Sequence, residues 1–354
     1  MGDAVAHLSR ADDTDLLNVH AWHPFRVRFP PHHRPRSRLR TRALNRDGFC
    51  EKAPQFCRLA LWKRLRARLG SGESKQGGSQ AMSFAQPGHG PLEYQPVQYP
   101  GSQMMFRGPA QDLSGPYILC LGASETYGKF VSAPFPEQLG DRLDRPVVNM
   151  GAMNGGLDLI LNDKAIAGAI EGADAVVLQI TGAQNMTNRF YQVHPRRNDR
   201  FLKASSLLQT IYRDVDFTEF HFTRHMLSTL QVLSRDRFRI VVDELQQAWL
   251  ARMRQLMGRI KVPVHLLWIA DHTPEQEPRE NALGSDPLFI TADMLEEVAA
   301  EAASLSLAVT AEAERQTPTR GMFFALREEA AARVLPGPMV HARAAEELAQ
   351  RLAG

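Results

Sequence analysis

The stretch Tyr117-Ile-Leu-Cys-Leu-Gly122-Ala-Ser124-Glu-Thr-Tyr-Gly128-Lys129-Phe130 decides the fold. Five β-prone apolar residues run unbroken to Gly122, as expected of a strand buried on both faces rather than one alternating between core and solvent. Gly, Ser and a second Gly then mark a tight turn into a helix. Working outward, the same rhythm recurs. Pro146–Met150 (PVVNM) ends at Gly151, Ala175–Ile180 (AVVLQI) ends at Gly182, and Val262–Ala270 (VPVHLLWIA) ends at Asp271. Helical periodicity occupies 136–143, 157–171 and 224–259, and a further helix from Ala292 precedes a weak fifth strand near Leu305–Thr310. Short continuous strands alternating with helices predict an α/β fold, a doubly wound, flavodoxin-like parallel sheet of about five strands with helices on both faces. In such sheets a ligand sits outside the carboxyl ends of the strands, where Ser124, Gly151, Asn185 and Asp271 would fall.

The turn Gly122–Lys129 invites comparison with a phosphate loop. That loop needs four residues between its glycines and a Ser or Thr after the Lys, because the backbone wraps the phosphates and the hydroxyl meets Mg²⁺. Here five residues intervene and Phe130 follows Lys129, so no nucleotide and no other cofactor is expected. His221 and His225 stand one helical turn apart, but Phe222 fills the place of a metalloprotease Glu, and no metal is expected.

Composition narrows the partners. With 44% hydrophobic and 23% charged residues the chain can build a core. The net charge of +3 is unevenly distributed: residues 1–81 carry 16 Lys+Arg against 7 Asp+Glu, and the remainder carries 26 against 32. The basic part is Arg/Pro-rich (RVRFPPHHRPRSRLR) and passes into GSGESKQGGSQ, a linker composition, so 1–81 is read as a disordered extension with Met82 an alternative start. Residues 82–354 are read as a single domain. Its mildly acidic balance gives no general footprint for nucleic acid, and a small-molecule or glycan-linked substrate is the expected partner. Cys50, Cys57 and Cys120 cannot all pair, no run of 18 apolar residues occurs, and no secretory signal opens the chain, so a cytoplasmic protein without a membrane span is expected.

Four blocks at the strand ends together resemble the SGNH/GDSL-hydrolase superfamily. Gly122-Ala-Ser124 with Gly128 resembles its first block, with Ala123 in the place of Asp. Asn149-Met-Gly151-Ala-Met-Asn154 resembles the second, Gly182-Ala-Gln184-Asn185 the third, and Pro338-Met-Val-His341 the last. The resemblance implies Ser124 as nucleophile, His341 as its base, and Gly151 with Gln184 or Asn185 as oxyanion donors. Pro338 replaces the Asp that orients the His in the family, and Asp271 is the candidate substitute. The segment Asn188-Arg-Phe-Tyr-Gln-Val-His194-Pro-Arg196-Arg197-Asn-Asp199-Arg200-Phe follows the third block. Arg189, His194, Arg196 and Arg197 are read either as a substrate clamp for an anion or as part of a loop pinned by Arg–Asp pairs, with Asp199, Asp214 and Asp216 within reach in sequence. GASETYGKF, GAQN, NRFYQVHPRRNDRF and VDFTEFHFTRHML are similar to a family of SGNH-like proteins from alphaproteobacteria, over about 82–354. The expected activity is a serine ester hydrolase or acyltransferase for an anionic or glycan-linked acyl substrate; the alternative is a non-catalytic module of the same fold that binds an anionic or carbohydrate ligand.

Overall fold

The three inner strands of the central sheet are lined by apolar residues on both sides, and the alternation of their side chains divides the interior in two. In the computed structural model, which describes residues 91–276 and 283–353, the strands are β1 (Ile118–Gly122), β2 (Val147–Gly151), β3 (Ala175–Gln179), β6 (Val264–Ala270) and β7 (Ser304–Val309). They lie in the order β2-β1-β3-β6-β7, all neighbours parallel. Leu119, Leu121, Val176, Leu178, Leu266 and Trp268 face one core, while Ile118, Cys120, Val177, Leu267 and Ile269 face the other. This is the period-two geometry of a strand buried twice, and it bears out the five-stranded parallel sheet. The extension 1–81 and its Met82 boundary lie outside the described residues.

The second core is closed by the helices Phe135–Leu143 and Pro338–Leu352 through Phe135, Leu139, Val340, Ala344 and Leu348. The first is closed by the remaining long helices, among them Arg235–Arg259, which buries Val241, Leu245 and Trp249. Two stretches that read as single helices are each broken in two. Asp163 separates Leu157–Asn162 from Lys164–Gly172 and accepts hydrogen bonds from the N–H groups of Ala165 and Ile166. Ser234 separates Thr223–Leu233 from Arg235–Arg259 and caps Arg237 N–H. In both places a capping side chain satisfies the new helix's first donors better than helix continuation would.

The Arg-rich segment after the third block is not a loop. Tyr191–His194 (β4) and Arg197–Ala204 (β5) form an antiparallel hairpin with Pro195 and Arg196 at its tip. Arg197 pairs with Asp199 at 3.2 Å, as one sequence reading expected, but Asp214 pairs with Arg237 and Asp216 turns back on Thr218.

Candidate functional site

Chain order reverses between β1 and β3, and there the turn after β1 is built around one side chain. Gln179, the last residue of β3, accepts through Oε1 from the N–H groups of Ala123 (2.9 Å) and Thr126 (3.2 Å) and from the Thr126 hydroxyl (2.6 Å). Its amide nitrogen donates to Glu125 at 2.8 Å. The short helix Ser124–Tyr127 then ends at Gly128, whose φ of 73° is the left-handed conformation that glycine adopts without strain. At Gly151 a side chain would come within 2.3 Å of the Tyr127 nitrogen, so only glycine lets β2 approach this helix.

Ser124 is buried, and its Oγ accepts the Asn154 N–H at 3.0 Å. Asn154 has φ of 56°, a conformation Asn tolerates better than most residues, and that geometry aims its N–H at the hydroxyl. Ser124 lines a cavity of about 420 Å³ together with Glu125, Lys129, Thr181, Gln184, Asn185, Arg224 and Asp271. A second cavity of about 790 Å³ shares Glu125, Asp271, Asp286 and Arg333 with the first, so the two form one cleft along the carboxyl edge of the sheet.

The electrostatics of the cleft are mixed. Burial pushes the Glu125 carboxyl above the usual range, and nearby Asp286 adds to this while the Gln179 bond opposes it. Asp271 is held below its usual range by its hydrogen bond to His272, with Ser285 adding to the effect. The Arg224 guanidinium binds Asp286 at 2.8 Å and the Gly284 carbonyl at 2.7 Å. Lys129 has its ammonium 4.6 Å from the Phe130 ring centre and, among the described residues, no carboxylate partner. Two lining residues each leave one buried oxygen without a hydrogen-bond partner: Thr181 at Oγ1 and Gln184 at Oε1.

Of the residues singled out from the sequence, the cleft gathers Ser124, Gln184, Asn185 and Asp271 and leaves Gly151 outside its lining. The expected roles of other residues do not follow. His341 opens the last helix, as read, but is buried, stacked on Phe135, and accepts the Phe135 N–H on Nδ1 at 3.1 Å. Burial first, then the charge of Arg107, pushes its pKa down to about 3. An imidazole whose Nδ1 accepts carries its proton on Nε2, and that nitrogen is then a donor, not a base for a serine hydroxyl. No hydrogen bond joins His341 to Ser124 among the described residues, and His341 does not line the cavity. Asp271 orients His272 instead, accepting from its Nδ1 at 2.7 Å. The Gly151 N–H, implied as an oxyanion donor, is spent on Asn149 Oδ1 at 2.9 Å. The Gln184 amide nitrogen is taken by Asp286 at 2.5 Å, whereas Asn185 accepts from Thr223 on Oδ1 at 2.9 Å and keeps its amide nitrogen without an acceptor among the described residues.

The arginine clamp is not at the cleft. Arg189 binds Glu244 through its backbone N–H (3.2 Å) and its Nε (2.6 Å), while His194, Arg196 and Arg197 sit on the hairpin away from the cavity lining. Gln179, Thr181, Lys129 and Arg224, all in the cavity lining, went unread as site residues. The one available signal was Gln179, a polar residue closing the apolar run of β3. Among the described residues no group of three metal-ligating side chains occurs.

A family model matches residues 82–354, and its family is described as Domain of unknown function (DUF6473). The chain belongs to the DUF6473 family. No curated protein matches it. Among solved structures, the lipase Lip_vut3 from a goat rumen metagenome is similar at 14% identity and a TM-score of 0.37, covering 67% of this chain and 97% of the lipase. A deformylase, Nfo from Pseudomonas putida, is similar at 10% identity and a TM-score of 0.21, covering 68% and 92%. For this DUF6473 member the fold therefore rests on its own sheet order, and its chemistry on its own cleft.

Proposed function

We propose that the protein binds a small hydroxyl-bearing anion, such as a sugar acid or sugar phosphate, at the carboxyl edge of the sheet, with Ser124 a hydrogen-bonding group and not a histidine-activated nucleophile. The observation that carries this reading is Lys129, a cation with no carboxylate partner among the described residues that lines the same cavity as Ser124. Ser124 and Asn185, which line the same cavity, offer hydrogen bonds to the hydroxyls of a ligand. Lys129, without a carboxylate partner, supplies charge for the anion. The volume of the cavity falls within the range of ordinary ligand sites.

Thermal-shift measurements with sugar acids and sugar phosphates test the proposal. The expected result is stabilisation of the wild type, retention of most of it in Ser124→Ala, loss of it in Lys129→Met, and no ester turnover. Hydrolysis of p-nitrophenyl acetate that disappears in Ser124→Ala would overturn it.

A second reading, an SGNH-type acyl hydrolase or acyltransferase, is favoured by the Asp271–His272 pair. Asp271, which lines the cavity, holds Nδ1 of His272, the orienting role a serine triad requires, while His272 itself is not among the lining residues. Under that reading ester turnover is abolished by Ser124→Ala and by His272→Ala, and survives His341→Phe.

A further inference from the structure

The arginines that the cleft does not use lie on the exposed face of the β4–β5 hairpin. Its inner face is fixed: Val193, Phe201 and Ala204 pack into the first core, and buried Asn198 accepts the Gly156 N–H at 2.8 Å. The outer face is thus presented on a rigid support. Arg196, Arg200 and Lys203 have no carboxylate partner among the described residues, and the nearby acids are largely occupied, Asp199 by Arg197 and Asp216 by Thr218. Glu219, in the flanking turn, is the opposing charge. Phe222 lies opposite Arg200 in an antiparallel bridge, with the guanidinium 5.7 Å from its ring centre. Phe222 is 43% exposed and Leu202, two residues beyond Arg200, is 53% exposed.

We propose that this face docks on an anionic lipid surface, with Arg196, Arg200 and Lys203 against headgroup phosphates and Leu202 and Phe222 at the acyl boundary. Cations beside exposed Leu and Phe are the side-chain set that partitions into a membrane interface. A soluble polyanion would match the charge but leave the two apolar side chains in water, and this favours lipid over nucleic acid or an acidic glycan. The face adjoins the cleft: Thr223, next to Phe222, holds Asn185 of the cavity lining, so docking sets the cleft beside the lipid surface. The inference does not depend on which reaction or ligand the cleft serves.

Cosedimentation of the full chain with vesicles of phosphatidylcholine containing about a third phosphatidylglycerol tests it, with pure phosphatidylcholine as control. Binding is expected on the anionic vesicles. Arg200→Gln with Lys203→Gln should weaken it about twentyfold or more. Leu202→Ser with Phe222→Ser, at unchanged charge, should weaken it roughly tenfold. Circular dichroism checks each variant's fold, and Arg196→Gln at the hairpin tip, outside the strand pairing, serves if a strand variant does not fold. Absence of binding overturns the proposal. So does binding that neither pair of substitutions moves, which assigns it to the basic leader, and so does binding that only the charge substitutions weaken and that heparin competes away, which assigns it to a soluble polyanion.

Discussion

Gln179 shows how a single oxygen can hold a turn. Replacing it with Ala strands two backbone N–H groups and the Thr126 hydroxyl in a buried place, and removes the donor to Glu125. At about 1–3 kcal/mol for each of the three stranded groups, Gln179→Ala should lower the melting temperature by roughly 6 °C or more, as calorimetry would show. His341 makes a prediction with a sign. Its folded pKa is depressed to about 3 from 6.5, so between those values the unfolded chain binds the proton and the folded chain does not. The stability it contributes is complete above pH 6.5 and falls by about 1.4 kcal/mol per unit as pH drops toward 3. Chemical denaturation across pH 4–7 should show a shallower slope in His341→Phe. An unchanged slope in that variant would mean that His341 is not the titrating group. The places of Ser124 and His341 could be read from the sequence because glycines and helix starts are local signals. Their lack of partnership could not, because the Phe135 N–H that captures the imidazole lies 206 positions away along the chain.

At the scale of elements, the strands were legible to within about two residues because double burial leaves an unbroken apolar run. The helix breaks were harder, since the apolar period continues on either side of Asp163 and Ser234 and only their capping bonds reveal the joint. Asp163→Ala should cost about 1 kcal/mol as a lost cap, and somewhat more because Ser102 also donates to its carboxylate at 2.6 Å. Urea unfolding measures this; a loss below a few tenths of a kcal/mol would show that water replaces the cap. The β4–β5 hairpin escaped reading for a different reason. Register shifts between Gln192 and Val193 and between Val193 and His194 place the buried positions of the pair unevenly, so the alternation that announces a strand is lost.

Across the whole molecule, the helix Arg235–Arg259 ties distant parts together. Glu244 receives Arg189 from the segment before the hairpin, the Trp249 indole N–H donates to the Thr181 carbonyl at 2.8 Å beside the cavity, and Arg252 binds Asp158 at 2.9 Å. Trp249→Phe removes a buried donor from the Thr181 carbonyl and opens space under the cleft. It should cost about 1–3 kcal/mol and weaken ligand binding, while substitutions on the solvent side of the same helix should do neither. The sheet order puts the cleft at the point where the order of the strands reverses, which the alternation of strands and helices foretold. Which side chains meet there depended on packing over the full domain, and it separated Ser124 from His341 and the arginines from the cleft. The most direct test is mass spectrometry of the intact protein after exposure to a fluorophosphonate at neutral pH. The predicted result is no adduct on Ser124; a stoichiometric adduct there, absent from Ser124→Ala, would contradict the proposal that this serine binds without being activated.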